Sequence, residues 1–367
     1  MKLICSKENL ADGINIVQKA VPSKTTLPIL EGLLLDASKK FRLTGNDLEI
    51  GIECTVEADI QEQGSIVINS RIFGDIIRKM PDSEVLIEVK DGDVVIIECE
   101  NSHFEIKGMQ ASGFPRIPDI KKENALKISQ KIIREMIRQT LFAVSIDENR
   151  YILRGSLFEC KDNNLTIVSV DGFRLALRKF DLEGDIKEFS VVIPGKTLNE
   201  ILKILEPVDD EISIYSSSNQ IMFDIGRCKI VSRLLEGEFL NYRSVIPEEY
   251  ETKVRINAKD MLESIERAYL ITMGEKRYPV IFNIVDDKVI ITAKTNIGSV
   301  REEIRVEMEG GKLDIAFNPI YFIEALKAIE DEHIDIFFTT SVGQCIIRPI
   351  SGDRYVYLIV PVRFKNE

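Results

Sequence analysis

A chain of 367 residues, 44% hydrophobic and 29% charged, has the balance of a globular protein and the length for two or three domains, which excludes a single small stapled module. Its 48 Lys and Arg against 60 Asp and Glu give a formal charge of −12, which repels nucleic acid unless positive residues are gathered on one surface. No apolar run approaches the ~20 residues of a membrane span and no signal-length apolar stretch follows Met1, so a cytoplasmic protein without a membrane partner is expected.

In chain order, the first predicted pair is a strand, Leu3-Ile4-Cys5-Ser6, running into an amphipathic helix from Glu8 to Val21 with Leu10, Ile14, Val17 and Val21 on one face. A second pair follows: Ser65-Ile66-Val67-Ile68, then a helix from Ile72 to Met80. Strand composition resumes at Val85 to Val89 and Val94 to Glu98, around an Asp91-Gly92 turn. Phe114-Pro115-Arg116-Ile117-Pro118 punctuates the chain, and the pattern then starts again.

The second copy has Leu126-Lys127-Ile128-Ser129 before Ile132 to Leu141, strands at Leu165 to Val170 and Ile212 to Tyr215, and Ser190-Val191-Val192-Ile193 before a helix from Leu198 to Leu205. Phe239 through Pro247 forms the next break. The third copy has Val254-Arg255-Ile256-Asn257 before Met261 to Leu270, a strand at Val289 to Thr292, Asp314-Ile315-Ala316-Phe317 before Tyr321 to Ile329, and a strand at Ile334 to Phe338. Ser6, Ser129 and Asn257 fall where helix N-caps belong. A period of roughly 125 residues predicts an α+β fold of three repeated domains, 1–122, 123–249 and 250–367, each with two helices packed on antiparallel sheets.

The chemistry-bearing residues are sparse. The six cysteines, Cys5, Cys54, Cys99, Cys160, Cys228 and Cys345, are scattered singly and read as reduced, mostly buried thiols, and the Asn164-Leu165-Thr166 sequon is expected to stay unglycosylated. With only His103 and His333, a several-histidine zinc site is hard to assemble, and no metal or cofactor is expected. Pro194-Gly195-Lys196-Thr197 ends like a phosphate-binding loop but has Ser190 where the loop's first Gly belongs, so it reads as a helix start. Gly45-Asn46-Asp47-Leu48-Glu49 lacks the spacing of a calcium loop. No catalytic constellation stands out, and an enzyme on a repeated α+β scaffold is the competing class, which a turnover assay would expose.

Five stretches in order carry a family resemblance: Leu27-Pro28-Ile29-Leu30 followed by Leu33-Leu34-Leu35, Thr44-Gly45-Asn46-Asp47-Leu48-Glu49, Phe114-Pro115, Asp171-Gly172-Phe173-Arg174-Leu175-Ala176, and Val360-Pro361-Val362-Arg363. On this triplicated frame the chain resembles the β subunit of bacterial DNA polymerase III, the β sliding clamp family, almost from end to end. The resemblance implies a head-to-tail homodimer forming a six-domain ring, helices toward a central hole, that encircles duplex DNA non-specifically as a processivity factor. Implied partners are the DNA polymerase III catalytic subunit, the clamp loader, translesion polymerases, mismatch-repair proteins and DNA ligase. A clamp-like scaffold serving other partners is the third reading, separable by peptide specificity.

The charge pattern has the sign that this implies: the six predicted helices together carry about +2, leaving about −14 on the rest of the chain. Implied DNA-facing residues are Lys24, Arg71, Lys79, Arg134, Arg138, Lys196 and Lys203, with Tyr151 near the rim. They would meet phosphates without base readout, because a sliding protein needs nearly equal energy at every register.

In the family an apolar client peptide enters a cleft between the second and third domains. Here the resemblance assigns it Leu153, Val170, Gly172, Phe173, Arg174, Leu175, Leu240, Val245, Asn318, Tyr321, Val342, Val360, Pro361, Val362 and Arg363. The chain departs from the family's frequent choices at Phe173 (His), Leu240 (Pro), Ser244 (Arg), and Val360 and Val362 (Met). The implied dimer interface joins Arg71, Ile72, Ile76, Arg78, Met80, Phe104 and Ile106 to Leu270, Ile271, Glu302 and Glu303, with Phe104 and Ile106 alternating on an edge strand.

Overall fold

The computed structural model describes residues 1–184, 186–273 and 279–363. Among them are six α-helices: α1 Lys7–Val17, α2 Ser70–Lys79, α3 Gln130–Leu141, α4 Gly195–Leu202, α5 Ala258–Thr272 and α6 Pro319–Ala328. Each follows a short strand, as the repeat predicts. Polar caps start them: Ser6 accepts from the Asn9 amide, Asn69 from Ile72, Asn257 from Lys259 and Asp260, and Asn318 from Ile320. Helix α4 begins at Gly195, within the stretch read as a helix start, and ends at Leu202, before the expected Leu205, so Lys203 lies just beyond it.

The chain forms two compact units, residues 1–131 with 203–234, and residues 132–202 with 235–367. The first unit holds a five-stranded sheet in the order Asp59–Glu62, Lys2–Ser6, Glu84–Lys90, Val94–Cys99, Ser102–Lys107. Its eight-stranded sheet runs Leu126–Ser129, Glu211–Ser216, Gln220–Ile225, Cys228–Arg233, Ile50–Val56, Phe41–Asn46, Gly32–Asp36, Ser65–Asn69. Helices α1 and α2 pack together, and Leu10, Ile14, Val17, Phe73 and Ile77 are buried with Leu33, Leu35, Leu43 and Ile52 of the strands.

The second unit holds a nine-stranded sheet in the order Phe189–Pro194, Gly155–Lys161, Asn164–Val170, Arg174–Asp181, Tyr355–Ile359, Cys345–Pro349, His333–Phe338, Thr252–Asn257, Glu307–Gly310. A four-stranded sheet runs Gly298–Arg305, Lys288–Thr295, Val280–Val285, Leu313–Phe317. Within this unit α5 packs on α6 over a core containing Phe282, Phe317, Phe322 and Phe338. The named strand pairings in both units are antiparallel, in keeping with the turn-rich hairpins of the sequence.

One expectation is corrected. Cys54 and Cys228 are joined by a disulfide, while Cys5, Cys99, Cys160 and Cys345 are free and buried. The pair is 174 residues apart in sequence, but the strands Ile50–Val56 and Cys228–Arg233 are neighbours and set the two side by side with Cα atoms 4.2 Å apart. Single spacing along the chain therefore concealed a cross-strand pair. Burial raises the pKa of each free thiol, that of Cys5 to about 12, which keeps them protonated and unreactive.

Candidate functional site

The two-residue period of the nine-stranded sheet divides its side chains between opposite faces. On the strand Arg174–Asp181, Ala176 points into the helix-side core with Tyr357 and Ile359. Leu175 and Leu177 point the other way, into a separate apolar cluster with Leu157, Val168, Val170, Ile346, Val356 and Leu358. Among the described residues no α-helix supplies a residue to this second face. It is lined instead by chain between the strands: Ile152 and Leu153 from one side, and Leu235, Phe239, Tyr242, Val245 and Ile246 from the connector that precedes Thr252–Asn257.

The connector is pinned by a polar bolt. The Tyr242 hydroxyl donates to Glu159 Oε2 at 2.8 Å, and Arg243 bonds the same carboxylate. Burial alone would raise the Glu159 pKa, but the hydrogen bonds from Arg243 and Tyr242 outweigh it and hold the carboxyl below its ordinary range. Burial and the Glu159 bond push the Tyr242 phenol up, so it remains a donor. A cavity of about 520 Å³ lies beside this bolt, lined in part by Lys161, Leu177, Lys179, Ile246 and Arg348.

Next to the apolar face, the turn Asp171-Gly172-Phe173-Arg174 presents an aromatic ring. Asp171 Oδ1 accepts from the Phe173 and Arg174 amides at 2.8 and 3.0 Å. Gly172 has φ +95°, a backbone conformation that favours glycine, and a Cβ there would lie 1.8 Å from Arg150 Nη1 and push that guanidinium aside. Phe173, 53% exposed, stacks on Tyr321 with centroids 6.4 Å apart, and the Arg150 guanidinium sits 5.9 Å from the Phe173 ring centre.

Arg174 plays a different part from its neighbours. Its guanidinium is mostly buried, bonds Asp171, Glu324 and the Phe142 carbonyl, and lies 4.6 Å from the Tyr321 ring centre. It holds the turn against α6. The segment that follows the last described strand completes the site: the Val360 amide donates to the Phe173 carbonyl at 2.9 Å, and the Val362 amide to the Ala316 carbonyl at 2.8 Å.

The structure thus brings Leu153, Val170, Leu175, Val245 and Val360 into one apolar cluster. Gly172, Phe173, Arg174 and Tyr321 form the aromatic edge beside it, with Asn318 at the start of α6. Leu240, Val342 and Val362 are 43%, 76% and 40% exposed, Pro361 is half-buried and Arg363 is exposed. Sequence reasoning missed Arg150, Glu159, Tyr242 and Glu324, whose roles depend on partners 21 to 150 residues away. The Asp-Gly signature of the turn was visible; what it would carry was not.

The first unit repeats this local frame with different chemistry. Asp47 Oδ1 accepts from Glu49 and Ile50, Leu48 takes φ +75° where Gly172 has +95°, and the Arg233 amide donates to the Glu49 carbonyl at 2.9 Å. Asn46, Gly51 and Arg233 stand there in place of Val170, Leu175 and Val360. Asn46 also donates to the Pro115 carbonyl at 3.2 Å, and the remaining cleft is about 200 Å³, its walls shared between polar residues such as Gln220 and Arg233 and apolar ones such as Ile117 and Val231. Among the described residues the first unit's copy carries a smaller apolar cluster, Ile120, Met222 and Val231 with Ile117 and Tyr215, than the one beside Phe173.

The other expected site residues lie as follows. Lys24, Arg71, Lys79, Tyr151, Lys196 and Lys203 are exposed, and Arg71 and Lys79 have no ion pair among the described residues. Arg134 is half-buried, and Arg138 pairs with Glu330. Ile72, Phe104 and Leu270 are exposed, Ile76, Ile106 and Ile271 half-buried, while Met80 is buried and supports its face from beneath. Arg78 is bonded to Asp75, Glu302 to Arg267, and Glu303 to Lys288 and Arg301.

Three family models match consecutive stretches of the chain: the N-terminal domain of the DNA polymerase III β subunit over residues 1–118, the central domain over 127–241 and the C-terminal domain over 243–363. The chain belongs to the DNA polymerase III β subunit family. A β sliding clamp of Staphylococcus epidermidis is 34% identical over 99% of both chains, and one of Halalkalibacterium halodurans 35% identical over 99% of this chain and all of that one. Among solved structures, the sliding clamp of Bacillus subtilis superposes with a TM-score of 0.97 at 34% identity over the whole of both chains. A Pseudomonas aeruginosa clamp solved with griselimycin bound gives 0.94 at 26% identity, covering 99% of this chain and all of that one. The repeat is therefore three clamp domains.

Proposed function

We propose that this protein is a DNA sliding clamp: a homodimeric ring that encircles duplex DNA, slides without reading sequence, and tethers the replicative polymerase and other clients. The observation that carries the proposal is the succession of three β-subunit domains along the whole described chain, with an apolar, connector-lined face in the second unit. An aliphatic floor can bury a Leu or Phe anchor for about 1.5–3 kcal/mol, and the polar edge can orient a peptide backbone.

The domain boundaries are 1–122, 123–249 and 250–367, and the protein works in the cytoplasm without a catalytic step of its own. Ring closure joins the outer strand Ser102–Lys107 of one copy, bearing Phe104 and Ile106, to the outer strand Gly298–Arg305 of the next, because each is an unpaired edge of its sheet. The internal pairing of Arg78, Glu302 and Glu303 leaves the apolar groups Ile72, Phe104 and Leu270 as the main interface contributors. Arg71, Lys79, Arg134, Arg138, Lys196 and Lys203 supply weak phosphate contacts on the helices or just beyond them, with Lys24 and Tyr151 nearby. Clients include the polymerase catalytic subunit, the clamp loader, translesion polymerases, mismatch-repair proteins and DNA ligase.

The test is retention after loading. Nicked circular DNA should hold the protein through a gel-filtration column, while the same DNA made linear should lose it from its ends. Equal retention on both forms would remove the topological mechanism.

A further inference from the structure

We propose that Cys54 and Cys228 are a reversible redox modification site, a staple that peroxide closes and a dithiol opens. Cys54 belongs to the stretch matched by the N-terminal domain model and Cys228 to the stretch matched by the central one. The strands that carry them, Ile50–Val56 and Cys228–Arg233, are the seam through which the eight-stranded sheet passes from one stretch to the other. The seam has five rungs, Ser232 opposite Ile50 at one end and Cys228 opposite Cys54 at the other.

Three features set this pair apart. Register places the two residues directly opposite each other, Cα atoms 4.2 Å apart, so closing and opening the bond needs no slip of the strands. The pair is the terminal rung, and Cys228 directly follows the two-residue turn Gly226-Arg227, with Gly226 at φ +70°. The sulfurs are buried, but fraying of that turn gives small reagents a local route, since sheet ends open more readily than their centres. The equivalent rung of the second unit, where Arg174–Asp181 meets Tyr355–Ile359, is Arg178 opposite Tyr355 and cannot be stapled.

The chemistry closes with hydrogen peroxide as the oxidant. One cysteine, as thiolate, attacks a peroxide oxygen, the O–O bond breaks, and a sulfenic acid and water result. The second thiol then displaces the sulfenic oxygen as water and forms the S–S bond. Two thiols and one peroxide become one disulfide and two waters, with two electrons passing from the sulfurs to the peroxide. A dithiol reductant reverses the bond by exchange through a mixed disulfide.

The experiment uses the full chain and does not depend on DNA binding. Protein purified in reductant is treated with hydrogen peroxide or left untreated, then denatured, alkylated with iodoacetamide and weighed. Six adducts are expected without peroxide and four after it, with peptide mapping assigning the lost pair to Cys54 and Cys228 and dithiothreitol, applied to the folded protein, restoring six. Six adducts after peroxide, a link between other cysteines, or a bond that dithiothreitol opens only after denaturation would each overturn the proposal. As a second reading, peroxide should slow amide exchange across residues 50–56 and 228–233 at least tenfold, and not at all in C54A/C228A. Unchanged exchange in oxidised wild type would overturn the staple.

Discussion

Phe173 lies over Tyr321 with ring centroids 6.4 Å apart and planes 18° from parallel, and this stack joins a sheet turn to helix α6 at the edge of the apolar face. An aromatic pair of this kind contributes about 0.5–1.5 kcal/mol beyond its buried area. Because Phe173 is 53% exposed, Phe173→Ala should cost the fold little beyond the stack itself, about 0.5–1.5 kcal/mol, while weakening client-peptide binding about 3- to 10-fold. Fluorescence anisotropy with a labelled peptide, run beside a thermal melt, measures both. Unchanged affinity would mean that the stack is not part of the binding edge.

Val360 and Val362 follow the last described strand, the first packed on the apolar cluster and the second 40% exposed. Val360→Asp with Val362→Asp puts two carboxylates where an apolar anchor would be desolvated, so peptide affinity should fall at least 100-fold. Sedimentation should still report a dimer. Peptide titrations that match wild type would reject this mapping of the cleft.

Arg174 is consumed by its neighbours, so its removal acts on the fold first. Arg174→Ala removes a donor from Asp171 Oδ2 and from the Phe142 carbonyl, while Asp171 Oδ1 keeps its two amides, at a cost of about 1–3 kcal/mol to unfolding of the second unit. Arg174→Lys should recover only a small part of this, because an ammonium cannot span the three partners of the planar fork. Urea denaturation of the three proteins provides the comparison.

The Glu159–Tyr242 bolt sets a pH dependence. The folded pKa of Glu159 is lowered, so its contribution is fully present above the unfolded carboxylate value of about 4.3 and is lost as pH falls through the lower folded value. Tyr242 is raised, so its contribution is present below about pH 10 and is lost as pH rises further. Glu159→Ala leaves the Tyr242 hydroxyl without its acceptor and should cost about 1–3 kcal/mol at neutral pH. Below about pH 4 the gap between variant and wild type should shrink, as chemical denaturation at several pH values would show.

Much of this was legible in the residues. The helices could be found from apolar spacing and from caps such as Ser6 and Asn257, and the strands from alternation bounded by turns such as Asp91-Gly92. Leu153, Val170, Leu175, Val245 and Val360 were named through the resemblance, since alternating apolar residues alone do not say which face of a sheet lacks a helix. Pairings across long separations were hidden. Glu159 meets Tyr242 83 residues on, and Cys54 meets Cys228 174 residues on, and neither is predictable until the strand neighbours are known. Arg174 was assigned to the cleft through the resemblance, and its bonds to Asp171 and Glu324 could not be foreseen from spacing.

Ala176 sits between Leu175 and Leu177 on one strand, facing the helices while they face the connector. Adjacent codons in this strand therefore answer to separate demands, even positions to the core beneath the helices and odd positions to the connector packed on the other face. A lineage could repack 175 and 177 together with the connector while leaving 176 alone, whereas a single-residue insertion within the strand would exchange the two faces at once.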